Sequence, residues 1–183
     1  MKDTNNQANA ARAPALFVYG TLRRGFGNPF ARRLRREASH LTTGTLSGFH
    51  LVDVGHYPGL VRCEDPAHCV TGDLFRLPDH PEPLLAELDA YEGCSTDPDV
   101  PGEYVRETAR VNTGGESPVA AWIYRFNRNA SHLPVVPDGD YLAYRGLCER
   151  CGRAGAEKFG GLILCGACIE AAGSCCTEFD SDD

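Results

Sequence analysis

The chain has 183 residues, enough for one sizeable core or for one core with a small appendage. Its apolar share of 42% excludes wholesale disorder, and a formal net charge of −7 argues against nucleic acid as the main partner. Nine cysteines would suit a disulfide framework in an exported chain, yet nothing at the start marks this one for export.

Residues 1–13 are polar and lack an apolar signal core, so they read as a frayed leader. No apolar run is long enough to span a membrane, and a cytoplasmic address is the expectation. Ala15–Tyr19 reads as a buried strand that breaks into Gly20-Thr21-Leu22-Arg23-Arg24-Gly25. Consecutive backbone N–H groups at such a strand tip can cradle an anion, although an ordinary turn would carry the same pattern. Asn28–Glu37 is a short basic helix, with Asn28 as N-cap, Pro29 at the first position and a solvated arginine face. His40–Val54 suggests a bent strand pair around Gly44 and Gly48, Tyr57–Leu60 a turn, and Val70–Leu77 the next strand.

Glu82–Glu92 is the clearest helix, with Gly93 at the position after its C-cap. Leu84, Leu85, Leu88 and Tyr91 recur at helical spacing and are expected to face the core. Glu92 falls on that same apolar face and at the helix C-terminus, where the macrodipole disfavours negative charge. Both effects raise a carboxyl pKa, which suits general acid–base chemistry near neutrality. A frayed last turn would instead release Glu92 to solvent. Asp89 reads as a surface or capping residue. Tyr104–Asn112 and Val119–Asn127 form a hairpin across Thr113–Ser117. Strands outnumber helices, which predicts an α+β chain with an antiparallel or mixed barrel-like sheet.

Six cysteines crowd into residues 148–176 and mark a second module. Cys148-x-x-Cys151 and Cys165-x-x-Cys168, thirteen residues apart, have the spacing of a tetrahedral Zn²⁺ site of the zinc-ribbon or treble-clef kind. Iron in the same sulfur cage is the main competitor, ahead of disulfides or free thiols. The predicted module (147–174) has a hairpin arm over Phe159–Leu164 and a short helix over Ala167–Ala172, and it needs the metal to fold. It is expected to stand as a satellite of the barrel without a part in the chemistry. Residues 175–183 read as an acidic tail carrying surplus thiols, Cys175 and Cys176. His50, His56 and His68 lie near Cys63 and Cys69, but they match no ligand spacing and read as turn and core residues. Ser95 and Ser131 lack a nucleophile-elbow context, which leaves a serine hydrolase unsupported. Cys94, just after Glu92-Gly93, would be a candidate nucleophile, but no histidine is near it in sequence and it is read as a bystander.

Taken together, Phe17–Gly25, Gly55–Leu60, Gly72–Phe75, Leu88–Gly93, Tyr104–Arg106, Ala121–Tyr124 and Gly139–Tyr141 resemble the γ-glutamylcyclotransferase-like family. The match runs over roughly residues 15–145, within an expected domain at 14–146. The resemblance implies a small mixed β-barrel with few flanking helices. It implies a γ-glutamyl substrate held by Tyr19, Gly20, Thr21 and Leu22, with Tyr104 near the pocket, Glu92 as acid/base and no catalytic cofactor. The Val18-Tyr19-Gly20-Thr21-Leu22 form is similar to the γ-glutamylamine branch. The family does not normally carry a four-cysteine module. That departure keeps a second reading open: a catalytically idle ligand-binding barrel whose module contacts a protein or nucleic acid through Arg145, Arg150, Arg153 and Lys158.

Overall fold

The computed structural model describes residues 15–97, 99–153, 156–159 and 162–173. The expected leader and the acidic tail with Cys175 and Cys176 lie outside them. The first strand, β1 (Ala15–Val18), is buried along its whole length because it runs through the middle of the main sheet. It pairs antiparallel with β5 (Cys69–Arg76), Leu16 opposite Phe75, and parallel with β7 (Val119–Phe126), Leu16 opposite Trp122. β2 (Ser39–Ser47) lies outside β5, and β6 (Tyr104–Val111) lies outside β7. Thr45 and Asn112 exchange two backbone hydrogen bonds of 2.8 Å, which tie the β2 edge to the end of β6 and close the sheet into a small barrel. Apolar side chains fill it, among them Phe17, Leu46, Leu51, Leu60, Leu74 and Ile123.

The second sheet is the hairpin of β3 (Phe49–Asp53) and β4 (Pro58–Arg62). Two expectations are corrected here. β2 and β3 are consecutive but do not pair, because the chain kinks at Gly48 (φ 75°) and sends them into different sheets. Pro58, Gly59 and Leu60 are strand rather than turn. The reversal falls earlier, at Val54–Tyr57, where Gly55 takes the left-handed φ of 115°, and Pro58 sits at a strand start that needs no N–H.

α1 (Pro29–Glu37) begins as its sequence predicts, with Asn28 Oδ1 accepting from Ala31 N at 2.8 Å. Its arginine face is more engaged than a solvated face would be. Arg33 pairs with Glu37 at 2.9 Å and with Glu87, and Arg35 donates to the Phe26 carbonyl at 2.8 Å. α2 (Glu82–Tyr91) buries Leu84, Leu85 and Leu88 in a second cluster with Leu16, Val18, Leu34 and Phe75. Tyr91 does not join that core. The helix end overhangs an opening, and the Tyr91 ring stacks on Phe30 at 4.2 Å at its rim.

A short turn of helix, α3 (Tyr141–Tyr144), follows the barrel, capped by Asp140 Oδ1 accepting from Leu142 N at 3.0 Å. The C-terminal module then folds as β8 (Ala156–Phe159) paired antiparallel with β9 (Leu162–Cys165), and α4 (Gly166–Gly173). Cys148, Leu164 and Cys165 form its own small buried cluster, with Ala156, Cys168 and Ile169 packed on it. Among the described residues no helix is long and apolar enough to cross a membrane.

Candidate active site

A cavity of about 310 Å³ opens where β1 ends, between the β3–β4 hairpin, the end of α2 and the start of β6. It is lined by Tyr19, Gly20, Thr21 and Leu22 on one side and by Tyr91, Glu92, Glu103 and Tyr104 on the other. The five residues singled out for substrate and the one for acid–base work thus share one cavity.

The turn after β1 is shaped by close packing. A Cβ on Gly20 would stand 2.8 and 2.9 Å from Pro58 Cγ and Cδ, so only glycine lets β1 approach β4 this closely. Arg23 N donates to Gly20 O at 3.0 Å, which closes the turn, and the Asn28 side chain donates to Thr21 O at 2.6 Å. The backbone N–H groups of Gly20, Thr21 and Leu22 have no acceptor among the described residues. Such a run of free donors suits an anionic group. Tyr19 and Tyr104 contribute ring surface rather than free hydroxyls. Tyr19 OH donates to Tyr124 O at 2.5 Å, and Tyr104 OH donates to Pro58 O at 2.8 Å. Burial pushes both phenols well above their usual range, so they stay neutral.

Glu92 is the C-cap of α2, its N–H donating to Leu88 O at 2.9 Å, and Gly93 follows with φ 65°. The helix is therefore ordered to its last turn, and the carboxyl faces the cavity instead of fraying outward. Burial, then the nearby Glu103 and Asp89 carboxylates, push its pKa up to about 8. Asp89 is more than a surface residue: it accepts from Tyr124 OH at 2.9 Å and pairs with Arg106 Nε at 2.9 Å, which pins α2 against β6 and β7. Burial, then the Asp89 and Glu92 carboxylates, push the half-buried Cys94 thiol up to about 11, away from nucleophilic use.

Sequence reasoning missed Glu103, whose Oε1 accepts from Tyr57 OH at 2.6 Å on the cavity wall, and it missed His56, Tyr57 and Tyr91 as lining residues. It also missed Arg23. This guanidinium is 1% exposed and pairs with Asp140 at 2.8 Å and Asp73 at 3.5 Å. The signal was present, since Leu22-Arg23, Gly72-Asp73 and Gly139-Asp140 each place a charge inside a glycine-marked motif. Three such charges in one barrel call for mutual pairing.

The Sγ atoms of Cys148, Cys151, Cys165 and Cys168 lie within 4.8 Å of one another, and this is the one metal-capable cluster among the described residues. Cys151 and Cys165 sulfurs are 3.5 Å apart, too far for a disulfide and close to the roughly 3.8 Å expected between sulfurs around a tetrahedral ion with ~2.3 Å bonds. Burial opposes the Cys148 thiolate, yet N–H groups of Cys165, Cys151 and Arg150 bring its pKa down to about 6. The donor set fits a metal ion. Of the basic residues near it, Arg145 is tied to the barrel, donating to Gly55 O at 2.9 Å.

Comparison with known proteins agrees with this arrangement. Residues 16–143 match the family model described as γ-glutamyl cyclotransferase, AIG2-like. The Escherichia coli γ-glutamylcyclotransferase family protein YtfP is 31% identical over 127 residues, covering 69% of this chain and 95% of that protein. A rat γ-glutamylaminecyclotransferase is 34% identical over 104 residues, 52% of this chain and 62% of that protein. The crystal structure of a mouse AIG2-like protein superposes with a TM-score of 0.52 at 27% identity, over 70% of this chain and 87% of that one. The mixed barrel around the β1 turn and the match over most of its length lead to one conclusion: the chain belongs to the γ-glutamyl cyclotransferase, AIG2-like family of enzymes.

Proposed function

We propose that the chain cyclises a small γ-glutamyl amide to 5-oxoproline with release of the free amine, and that Glu92 is the proton shuttle. The observation that carries this reading is the Glu92 carboxyl, raised to about 8, in the same cavity as the donor-rich Gly20–Leu22 turn. The substrate α-carboxylate would accept from the turn's N–H groups, and its α-ammonium would then lie toward the Glu92 carboxylate. Cyclisation is intramolecular, so most of the barrier is met by holding the α-nitrogen near the γ-carbonyl carbon. As the new C–N bond forms, two protons leave the α-ammonium, which ends as the lactam N–H. Glu92 accepts them and passes them to the departing nitrogen as the old C–N bond breaks, and the product leaves as an ammonium. A carboxyl poised near neutrality can serve both transfers.

Glu103 supports a leaving amine without a carboxylate of its own, because a leaving group that carried one would meet a second negative charge on the cavity wall. With the rat relative this favours γ-glutamyl amines over glutathione. The four cysteines are proposed to hold one structural Zn²⁺. With four protein sulfurs around it, no position stays open for water or substrate.

Glu92→Gln tests the catalytic assignment. The variant should fold and should release 5-oxoproline at least ~100-fold more slowly. Release at the wild-type rate would overturn the role of Glu92. A wild-type protein that binds γ-glutamyl amines but releases no 5-oxoproline from any of them would support the idle-barrel reading instead.

A further inference from the structure

The four-cysteine module does not stand apart from the cavity. It is seated on the same loop that forms the cavity's donor-rich wall. That loop makes two consecutive turns hinged on Arg23: the Arg23 N–H donates to Gly20 O, and the Arg23 carbonyl accepts from Phe26 N, each at 3.0 Å. Whatever fixes Arg23 therefore fixes the Gly20–Leu22 donors. Its side chain reaches away from the cavity to Asp140 and Asp73, and Arg24 N donates to Asp73 Oδ2 at 2.9 Å. A third carboxylate, Glu149, stands 4.0 Å from the guanidinium and belongs to the residue that follows the first cysteine ligand.

The backbones of loop and module also touch. Gly152, which follows the second cysteine and has φ 72°, lies so close to the loop that a Cβ there would stand 1.8 Å from Gly25 O. A Cβ on Gly25 would stand 2.9 Å from Cys148 O. The two glycines permit a backbone-to-backbone contact that side chains would forbid. On the module's side the knuckle is held by Gly152 N donating to Cys148 O at 2.8 Å, Cys148 N to Arg153 O at 2.9 Å and Glu149 N to Ile163 O at 2.8 Å. A knuckle with so small a buried core takes its shape from the ion its sulfurs hold.

We infer that the Cys148–Gly152 knuckle, shaped by its metal ion, braces the Arg23 hinge of the substrate turn, with Glu149 and Gly152 as positioning residues for the cavity. Loss of the ion then loosens the turn without touching Glu92. The brace makes substrate binding depend on metal supply and thiol oxidation while the proton shuttle stays intact. The kinetic consequence rests on the γ-glutamyl reading above, whereas the mechanical consequence does not.

The experiment uses the full chain, saturated with Zn²⁺ and then stripped by a chelator. Amide hydrogen exchange is followed at Arg23, Arg24 and Phe26, with β5 and β7 as the barrel reference. The brace predicts that stripping speeds exchange at those three loop amides at least roughly tenfold while the barrel reference stays unchanged, and that re-adding Zn²⁺ restores it. In the metal-loaded chain Glu149→Gln, which retains the cysteines and full zinc content, should raise KM for a γ-glutamyl amide roughly two- to fivefold with kcat unchanged. Loop amides that ignore zinc removal would overturn the brace. So would a barrel reference that loses protection together with the loop, since the metal would then hold the whole domain. Unchanged KM in Glu149→Gln would overturn its positioning role. If no γ-glutamyl amide is turned over while loop protection still follows zinc, the functional reading fails and the brace stands.

Discussion

Glu92→Gln should stabilise the fold, and increasingly so as pH rises. In the unfolded chain the Glu92 carboxyl ionises near its ordinary 4.5, whereas in the fold burial and the Glu103 and Asp89 carboxylates hold it at about 8. The folded state thus keeps a proton that the unfolded state has lost, and stability falls as pH rises between those two values. Each pH unit in that window is worth about 1.4 kcal/mol, so the carboxyl costs the fold up to about 3 kcal/mol at pH 7 and about 5 above pH 8. Water in the cavity screens a carboxyl that faces it, and about half of that ceiling is the expected effect. Glutamine keeps the shape and cannot ionise. Urea unfolding of both proteins at equal zinc saturation, at pH 5, 6, 7 and 8.5, reads the difference, since titrating groups that do not interact with Glu92 cancel. The midpoint advantage of the Gln variant should be small at pH 5 and should grow at each step to pH 8.5. A difference that does not change with pH, or a Gln variant less stable at pH 8.5, would refute the placement of a raised carboxyl in this cavity.

The same carboxyl gives the free enzyme's pH dependence: kcat/KM should rise with pH through an apparent pKa near 8, as Glu92 ionises into the form that accepts the first proton. Arg23→Met should cost about 3 kcal/mol in urea unfolding, the low end for a broken buried pair, because it leaves the buried Asp73 carboxylate beside Asp140 with only the half-exposed Arg24, 3.8 Å away, as counter-charge. Gly20→Ala should raise KM sharply and lower the unfolding free energy by about 1–3 kcal/mol, since the new methyl forces the turn off Pro58. Metal analysis should find one zinc per chain, and Cys148→Ser with Cys151→Ser should abolish it and unfold the hairpin and α4.

The strongest sequence signals were local and became elements as read: the Asn28 cap, the Leu84–Leu85–Leu88 stripe, the hairpin across residues 113–117 and the two cysteine pairs. Each depends on neighbours a few residues apart. The misreadings at residues 48–60 concern partnership between distant segments. Pro58-Gly59 carries turn chemistry, and only its pairing with Val52 and Asp53 and the packing of Phe126 over Gly59 make it strand. Within the cavity, Glu92 was legible because a carboxylate on an apolar stripe violates a local rule. Glu103 violates none, being a charge at the end of an ordinary strand, and it gains meaning only beside Tyr57 and Glu92. Arg23 does sit in a glycine-marked motif, but its pairing could be read only by joining that motif with Asp73 and Asp140, which lie far along the chain.

The central position of β1 has a consequence for synthesis. Its antiparallel neighbour β5 begins about fifty residues later and its parallel neighbour β7 about a hundred, with Leu16 waiting for Trp122. At ribosomal rates of 5–20 residues per second, the strand that leads into the Gly20–Leu22 turn stays first unpaired and then half-paired for roughly 5–20 seconds in all after it emerges. The segment Ala15–Tyr19 is continuously apolar, which makes this interval the one in which a nascent chain is most open to misassociation. The Cys148–Gly152 knuckle that rests on the turn emerges later still. A chain cut short before it could complete the barrel and would still lack the part that grips the loop, so prematurely terminated products of this gene should accumulate as folded barrels with a slack cavity wall.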